Sequence, residues 1–409
     1  MRRRIIATSL SFLLILTACG STQTDPQAES EVPETNPPEY TANNPETLPN
    51  PEHCEHNKWT QDHVCTVCGY VCEHEKWLEG VCETCGYICE HPSHDPETQL
   101  CTQCGEKVCH SFYHGTCACG ALPDIREDYL DPAFYFSESD NPGTVEYLTY
   151  TARNYYYKEG PRSFDKKLLV YLPYGYNENE QYDVMLFIHG TGGTPEDFIT
   201  REDDYYGPRP KVRGQDLYDY IFANKVAKPM ILVAISVNGK LVGDLATEMS
   251  AEQIGQEIRK DILPCIIEHY STYAQGSDEE SIRAARQHFA LCGISTGSIF
   301  AFDSGILQNF DLFGNYIVMS GGGKTYEAAE YINNGEWSDL PIYYFYSGAG
   351  TIDIRNLSAL HTYQYMIMNT EELVEGENAM HVFVDGGHKW SVWFTELYNA
   401  MQLIFPESA

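Results

Sequence analysis

The pentapeptide Gly-Ile-Ser-Thr-Gly at residues 293–297 constrains the fold of this chain more than any other sequence feature. It directly follows an apolar run, His288–Cys292, that predicts a strand, and it precedes Ser298–Phe302, which favours a helix. In a strand–turn–helix of this kind the turn is so tight that a side chain in place of either glycine would strike the neighbouring helix or strand. The turn lifts the hydroxyl of Ser295 out of the sheet, so the sequence predicts a nucleophilic serine. The pentapeptide also occurs by chance, and its position after a strand favours the functional interpretation.

The region around this turn, from about residue 140 to 409, alternates between predicted strands and helices. This alternation predicts an α/β domain with a mostly parallel sheet and helices on both faces. Isoleucines at every fourth position from Ile254 to Ile266 predict a helix that packs on the core, and a terminal helix is expected from near Val392 to Phe405. The predicted strands are Leu168–Leu172, Val184–Ile188, Met230–Ile235, His288–Cys292, Tyr316–Met319, Ile342–Tyr346 and Met380–Val384.

A second Gly-rich turn, His189–Gly193, follows the predicted strand Val184–Ile188. Backbone N–H groups in such a turn can reach an oxyanion without obstruction by side chains, and one such donor contributes about 3 kcal/mol in the transition state. We assign the predicted oxyanion hole to the backbone N–H groups of Thr191 and Thr296. An ordinary Gly-rich loop is the alternative interpretation of this turn.

A histidine and an aspartate at other predicted strand ends could complete the site. His388 follows the predicted strand Met380–Val384 and two glycines, which favours it as the general base over a surface-loop histidine. The acid should follow the preceding strand, where Asp353 stands. Asp385 is the alternative, although it is so close in sequence to His388 that it would orient the ring less easily. The chain order Ser295, Asp353, His388 is the order that α/β-hydrolases use.

These motifs, with Leu169–Tyr176 and Gly386–Trp393, resemble the feruloyl and acetyl-xylan esterases of carbohydrate esterase family 1. The resemblance covers residues 145 to 405, roughly, and leaves out the N-terminal third of the chain. It implies an α/β-hydrolase fold, no cofactor for catalysis, and ester bonds on plant-wall polysaccharide as the substrate.

The resemblance also assigns roles to individual residues. It implies that Ser295 is the nucleophile, Asp353 the acid and His388 the base. The sequence departs from the family at two positions: Thr296 stands where the family often has Met, and Ser298 where it often has Gly. Neither change removes a backbone donor, so the departures leave the acyl-group preference open rather than the chemistry.

The sequence therefore predicts a serine carboxylic-ester hydrolase that releases feruloyl or acetyl groups through an acyl-enzyme. An acyltransferase, another serine hydrolase acting on a siderophore or peptide ester, and a non-catalytic surface binding module are the alternatives. Aromatic side chains are the candidates for substrate contacts, because their rings can stack on sugars or on a feruloyl group. These candidates are Trp390 and Trp393, beside His388, and Tyr205 and Tyr206; packing in the core is the alternative role for each.

The net charge of the chain limits its partners. Acidic side chains outnumber basic ones by 59 to 26. Such a chain repels phosphate backbones and anionic headgroups, which makes nucleic acid an improbable partner. A neutral polysaccharide or a small ester fits this charge better.

The N-terminus has the pattern of an export signal, with three arginines, an apolar run over Ile5–Leu16 and Leu-Thr-Ala before Cys19. This run is too short to span a bilayer, which takes roughly 20 residues. The cysteine resembles that of a bacterial lipobox, so residues 1–18 are predicted to be cleaved and Cys19 to be lipidated. The chain would then be exported and anchored, facing outward, on the bacterial cell membrane; an ordinary signal peptide is the alternative. Residues 19–53 are rich in Pro and Glu and predict a disordered tether.

Residues 54–120 contain three regular units of the form Cys-x-His-x(7–9)-Cys-x-x-Cys and a degenerate fourth unit. Their apolar content is too low for a hydrophobic core, so cross-links must hold the segment together. Three thiolates and one imidazole make a closed tetrahedral zinc set, which predicts a zinc-ribbon-like segment with structural rather than catalytic zinc. Disulfides are the alternative, because exported proteins commonly oxidise their cysteine pairs. However, disulfides need no histidine.

Two groupings of the ligands are open at this stage. Each unit could close on itself, or each Cys-x-x-Cys could pair with the Cys-x-His of the next unit. The segment could also serve as a spacer or dock a partner. The candidate ligands are Cys54, His56, Cys65, Cys68, Cys72, His74, Cys82, Cys85, Cys89, His91, Cys101, Cys104, Cys109, His114, Cys117 and Cys119.

Overall fold

The computed structural model describes most of the chain from residue 122 onward and short stretches before it. The chain from Cys72 to the C-terminus makes one compact unit. Before that unit, the structure describes an antiparallel bridge between Val64 and Val71. The signal segment and the tether lie outside the described residues. Described are 64–66, 70–72, 74, 77–78, 81–85, 101–103, 105, 112, 122–131, 139–153, 155, 163–202, 213–239, 247–248 and 250–405.

An eight-stranded mixed sheet is the centre of the unit. Its strands are β1 (Thr144–Arg153), β2 (Ser163–Leu172), β3 (Val184–Ile188), β4 (Ile231–Ile235), β5 (Phe289–Ile294), β6 (Asn315–Met319), β7 (Tyr344–Gly350) and β8 (Ala379–Val384). They lie in the spatial order β8-β7-β6-β5-β3-β4-β2-β1. Strands β3 to β8 run parallel, whereas β2 pairs antiparallel with both β1 and β4.

Strand register brings several loops to one edge of the sheet. Ile188 at the end of β3 pairs with Gly293 near the end of β5. Met319 at the end of β6 pairs with Ile294 on one side and with Gly348 on the other. The carboxyl ends of the parallel strands are therefore nearly level, and the loops that follow them gather at one edge, where α/β sheets bind ligands.

The predicted strands overlap observed ones because buried parallel strands read as continuous apolar runs. All residues of β3 and β4 are buried. The prediction missed β1, whose side chains are mostly exposed at the sheet edge. Strand β7 also continues to Gly350, beyond the predicted end at Tyr346. Its Ser-Gly-Ala-Gly stretch has little strand propensity, yet it is fully buried and paired with neighbours on both sides.

Helices cover both faces of the sheet, and each face has its own apolar core. The predicted terminal helix is observed as α9, followed by a turn that reaches Phe405. Of the described helices, none is both long and apolar enough to cross a membrane. The α-helices are α1 (Glu196–Ile199), α2 (Gly214–Ala223), α3 (Ala251–Glu257), α4 (Leu263–His269), α5 (Glu279–Ala284), α6 (Thr296–Ile306), α7 (Thr325–Asn334), α8 (Asn356–Asn369) and α9 (Trp390–Met401).

The isoleucine stripe begins on α3 and ends on α4, and its two middle members lie on the π-helical turn Ile258–Ile262 that joins these helices. All four isoleucines of the stripe, from Ile254 to Ile266, are buried in the same core. In a regular α-helix a four-residue step overshoots a full turn by about 40°. A π turn is wider, so it offsets this drift and keeps the four side chains on one face.

Residues 124–130 form a segment, here called the strap, that lies along α9. The strap is not a β-strand. Its backbone N–H groups donate hydrogen bonds to polar side chains on one face of α9 and at the end of that helix. The Glu127 carbonyl also accepts the N–H of Asp385, in the loop before α9, at 2.6 Å. The ordered structure around the sheet therefore begins before residue 140, the predicted start of the domain. The three N–H bonds run from Leu130 to Thr395 Oγ1 at 3.0 Å, from Arg126 to Asn399 Oδ1 at 2.8 Å and from Asp124 to Gln402 Oε1 at 2.8 Å.

Candidate active site

Ser295 occupies a strained turn between β5 and α6. Its backbone has φ 54° and ψ −119°, in the region that non-glycine residues rarely adopt. A Cβ on Gly293 would lie 2.1 Å from the Gly297 carbonyl oxygen, and a Cβ on Gly297 would lie 2.1 Å from the Ile188 carbonyl oxygen. Both flanking positions therefore require glycine. The turn is held because the Ser295 N–H donates to the Met319 carbonyl at 2.9 Å.

The structure brings Ser295, His388 and Asp353 into one hydrogen-bonded line. His388 Nε2 lies 2.9 Å from Ser295 Oγ, and His388 Nδ1 lies 3.0 Å from both carboxylate oxygens of Asp353. An ionised carboxylate only accepts hydrogen bonds, so Nδ1 carries the ring proton. Nε2 is then left to accept the hydroxyl proton of Ser295, which is the arrangement that a general base needs.

Asp353 is buried, with 3% of its surface exposed. The Ser320 hydroxyl donates to its Oδ2 at 2.7 Å, and the Arg355 N–H donates to its Oδ1 at 2.6 Å. Burial would raise the pKa of Asp353, but the hydrogen bonds from His388, Ser320 and the Arg355 N–H hold that pKa below its usual value. The carboxylate is therefore charged at neutral pH. The alternative acid, Asp385, is exposed and accepts instead from the Thr351 hydroxyl at 3.1 Å.

Trp393 lies beneath this line of residues. Its indole N–H donates to Ser320 Oγ at 2.8 Å, and its ring meets His388 edge to face at 4.9 Å between centroids. Trp393 is only 7% exposed, so it supports the ring of His388 and the hydroxyl that binds Asp353. Trp390 packs edge to face on both Trp393 and Phe198.

Sequence reasoning missed Ser320, which follows β6 in a left-handed conformation with φ 54°. Its fully buried hydroxyl accepts from Trp393 and donates to Asp353, so it connects the two. The signal that could have found it is its position: a small polar residue directly after the strand next to that of the nucleophile, followed by three glycines.

The two residues assigned to the oxyanion hole lie side by side. Thr191 Oγ1 and Thr296 Oγ1 are 2.7 Å apart. A Cβ on the preceding Gly190 would lie 3.1 Å from the Cβ of Ser295, so this turn is in contact with the nucleophile. Thr296 is the first residue of α6, and N–H groups in a first helical turn have no partner within the helix.

Two buried polar side chains shape the Gly-rich turn, and sequence reasoning gave neither a role. His189 is 1% exposed; its Nε2 accepts the Val237 N–H at 3.3 Å, so Nδ1 is the donor to the Gly190 carbonyl at 2.8 Å. Asp197, in α1, accepts the Thr194 N–H at 2.8 Å. These side chains therefore fix the backbone of the turn that contacts Ser295.

The cysteines and histidine of the second repeat unit form a separate cluster. The ligand atoms of Cys72, His74, Cys82 and Cys85 all lie within 4.8 Å of one another, and no other group of metal-ligand side chains of this kind occurs among the residues that the structure describes. Cys65 and Cys101 are described and buried. Outside the described residues lie Cys19, Cys54, His56, Cys68, Cys89, His91, Cys104, Cys109, His114, Cys117, Cys119, Tyr205 and Tyr206.

Comparison with known proteins places the fold. No family model matches the chain. Over 292 residues, 68% of this chain, it is 26% identical to endo-1,4-beta-xylanase Y of Acetivibrio thermocellus; it spans 24% of that relative's length. A feruloyl esterase module of Clostridium thermocellum, solved as a serine-to-alanine mutant with sinapinate, superposes with a TM-score of 0.58 at 23% identity, covering 69% of this chain and 95% of the module. The chain has an α/β-hydrolase fold.

A second solved structure, of a protein called FAE, gives a TM-score of 0.57 at 23% identity and covers 69% of this chain and 94% of that one. The predicted fold class and the resemblance to feruloyl esterases in fold are thus confirmed. In this α/β-hydrolase fold the turn of Ser295, the loop of Asp353 and the loop of His388 follow β5, β7 and β8. A buried acid, an oriented imidazole and a strained serine in this order can convert a hydroxyl group into a nucleophile.

Proposed function

We propose that this chain is a serine esterase that hydrolyses ester bonds on plant-wall polysaccharide and releases feruloyl or acetyl groups. The observation that carries the proposal is the unbroken line of hydrogen bonds from Ser295 through His388 to buried Asp353. The substrate class is supported by the feruloyl esterase module, which shares the fold, and by the similarity to a xylanase.

The mechanism follows from the positions of the five groups. His388 Nε2 takes the hydroxyl proton as Ser295 Oγ bonds to the ester carbonyl carbon. The backbone N–H groups of Thr191 and Thr296 bind the oxyanion that forms. Asp353 stabilises the charged imidazolium. The imidazolium then gives its proton to the sugar oxygen as the ester C–O bond breaks, so that the sugar leaves with a hydroxyl group and an acyl-enzyme remains. Water attacks the acyl-enzyme by the same route and releases the acid.

We also propose that the esterase is exported and anchored, facing outward, on the bacterial cell membrane through lipid on Cys19. The basic and apolar N-terminal pattern and the lipobox-like Leu-Thr-Ala-Cys support this location. The acidic tether would then separate the enzyme from the membrane surface. A Cys19→Ser chain that stayed in the membrane fraction would contradict the lipid anchor.

Two aspartates near His388 provide a matched pair of variants. Asp353→Asn should lower kcat for methyl ferulate and for p-nitrophenyl acetate by about 10⁴-fold, because the imidazole loses its tautomer and its counter-charge. Asp385→Asn, in the neighbouring loop, should stay within about twofold of the unchanged enzyme, because its carboxylate binds Thr351 rather than the ring. Ser295→Ala should abolish burst and turnover.

Circular dichroism would confirm that each variant is folded. Full activity in Ser295→Ala, or equal losses from the two aspartate variants, would overturn the assignment of the site. Product analysis with acetylated and feruloylated xylan oligosaccharides then tests the substrate. Release of free acid supports hydrolysis, whereas transfer of the acyl group to a second sugar would indicate an acyltransferase.

A further inference from the structure

The second Cys/His unit has a geometry that its sequence pattern does not determine. Cys72 Sγ lies 3.6 Å from Cys82 Sγ, and Cys85 Sγ lies 3.5 Å from His74 Nδ1. In a disulfide the two sulfur atoms are about 2.05 Å apart. In this structure Cys72, Cys82 and Cys85 therefore form no disulfide. A disulfide between two of them would leave both the third cysteine and the histidine unused.

The distances match those of ligands around a metal ion. Zinc binds thiolate sulfur at about 2.3 Å and imidazole nitrogen at about 2.0–2.1 Å, so neighbouring donors in a tetrahedron are about 3.5–3.8 Å apart. Three sulfurs and one nitrogen also form a donor set that binds zinc in preference to harder divalent cations such as magnesium and calcium. Four protein ligands fill the tetrahedron and leave no position for water or substrate.

The local backbone explains how four residues spread over the unit converge. Trp77–Leu78 and Val81–Cys82 form an antiparallel hairpin in which Trp77 pairs with Cys82 and Leu78 with Val81. The hairpin returns Cys82 to Cys72 and His74, and the turn after it brings in Cys85. His74 adopts φ 53°, the left-handed region, which bends the chain after Cys72.

Two neighbouring side chains of the hairpin differ in burial. Cys82 is 1% exposed, whereas its neighbour Val81 is 38% exposed. Packing of this valine therefore does not hold the hairpin closed. A metal ion bound by the two buried thiols and their two partners would do so, as it does in small domains without a core.

From this geometry we infer that Cys72, His74, Cys82 and Cys85 bind one structural zinc ion, so that each repeat unit closes on itself. The alternative grouping needs Cys72 and His74 for the preceding Cys-x-x-Cys, but both are directed at the later cysteines of their own unit. The other two regular units, which begin at Cys54 and Cys89, repeat the same residue order. They extend the inference to three zinc ions per chain.

The test is zinc stoichiometry of the purified full-length chain by inductively coupled plasma mass spectrometry. The unchanged chain should hold three zinc ions, and Cys82→Ser/Cys85→Ser should hold two. Cys265→Ser is the matched control, because Cys265 also lies near a histidine, 3.8 Å from His269 Nδ1, without a four-ligand set; it should still hold three. Unaltered zinc in the double variant would overturn the site.

Two further measurements keep the result clear if the double variant folds poorly. Cobalt substituted into the unchanged chain should give thiolate charge-transfer bands and the intense d–d bands of a tetrahedral site. The double variant should retain esterase activity, since the four ligands are separate from Ser295, His388 and Asp353. A metal-free chain whose repeat cysteines react with a thiol reagent only after reduction would show disulfides and reject the inference. That outcome would leave the proposed esterase function untouched.

Discussion

The Cys/His hairpin and the central sheet of the same chain are held together by different means. In the hairpin, Cys82 is buried while the adjacent Val81 is partly exposed, and the convergent atoms are sulfur and nitrogen. In the sheet, all residues of β3 and β4 are buried apolar side chains. A fold held by a few ligand atoms should fail when one ligand or the metal is removed. A fold held by burial should fail gradually as apolar contact is lost.

Metal removal should separate the two regions most strongly. Incubation with excess chelator should remove exchange protection from the amides of Trp77–Cys82, because the inferred zinc ion holds the hairpin closed. The amides of β5 should keep their protection. The value of kcat/KM should change by less than about twofold, since removal of the metal leaves the hydrogen bonds among Ser295, His388 and Asp353 intact. Hydrogen exchange measured by mass spectrometry, alongside an ester assay, gives both readouts. Equal loss of protection in both regions would mean that they share one core.

A pair of apolar substitutions sharpens the same comparison. Leu186→Ala, at a fully buried position of β3, should reduce the free energy of unfolding by about 3 kcal/mol, through lost burial and the cavity left behind. Val81→Ala, in the hairpin, should change stability by less than about 0.5 kcal/mol and leave zinc content unaltered. Urea unfolding followed by circular dichroism measures the first and metal analysis the second. A large cost for Val81→Ala would show that packing holds the hairpin.

Acid should act on the sheet through His381 of β8. Burial lowers the pKa of His381 to about 4, and its Nε2 makes no hydrogen bond with the described residues. Between about pH 6.5 and 4 the unfolded chain therefore binds a proton that the folded chain does not. The free energy of unfolding should therefore decrease as the pH is lowered from 6.5 to 4, by at most about 3 kcal/mol in total.

The matched variants for this effect are His381→Gln and His361→Gln, the second at an exposed position of α8. His381→Gln should remove the acid-dependent part of the free energy of unfolding between pH 6.5 and 4, whereas His361→Gln should keep it. Urea titrations at several pH values provide the measurement. The same slope in all three proteins would assign the acid sensitivity to other groups.

Buried parallel strands were readable from the sequence because each is a short, continuous apolar run. Chain order reduced the candidates for the acid to Asp353 and Asp385. The structure was needed to choose between them, because the choice depends on which carboxylate reaches Nδ1 of His388. The position of Ser320, at a strand end and before three glycines, marks it as a residue near the site. The sequence does not show that Ser320 binds Asp353, because that contact depends on a strand pairing between segments distant in sequence. The edge strand β1 could not be predicted, because most of its side chains are exposed and its sequence contains no continuous apolar run like those of the buried strands.

The strap could not be predicted either, since its partners on α9 and directly after it lie 265 to 278 residues further along the chain. That separation has a consequence for biosynthesis. The ribosome makes residues 124–130 long before it makes Thr395, Asn399 and Gln402, so the strap must wait until nearly the whole polypeptide has emerged. Its docking closes a loop of 265 residues or more between the strap and the end of the chain. The entropic cost of closing such a loop grows only slowly with its size. A chain that terminated before α9 would lose its last helix and also the three side chains that bind the strap.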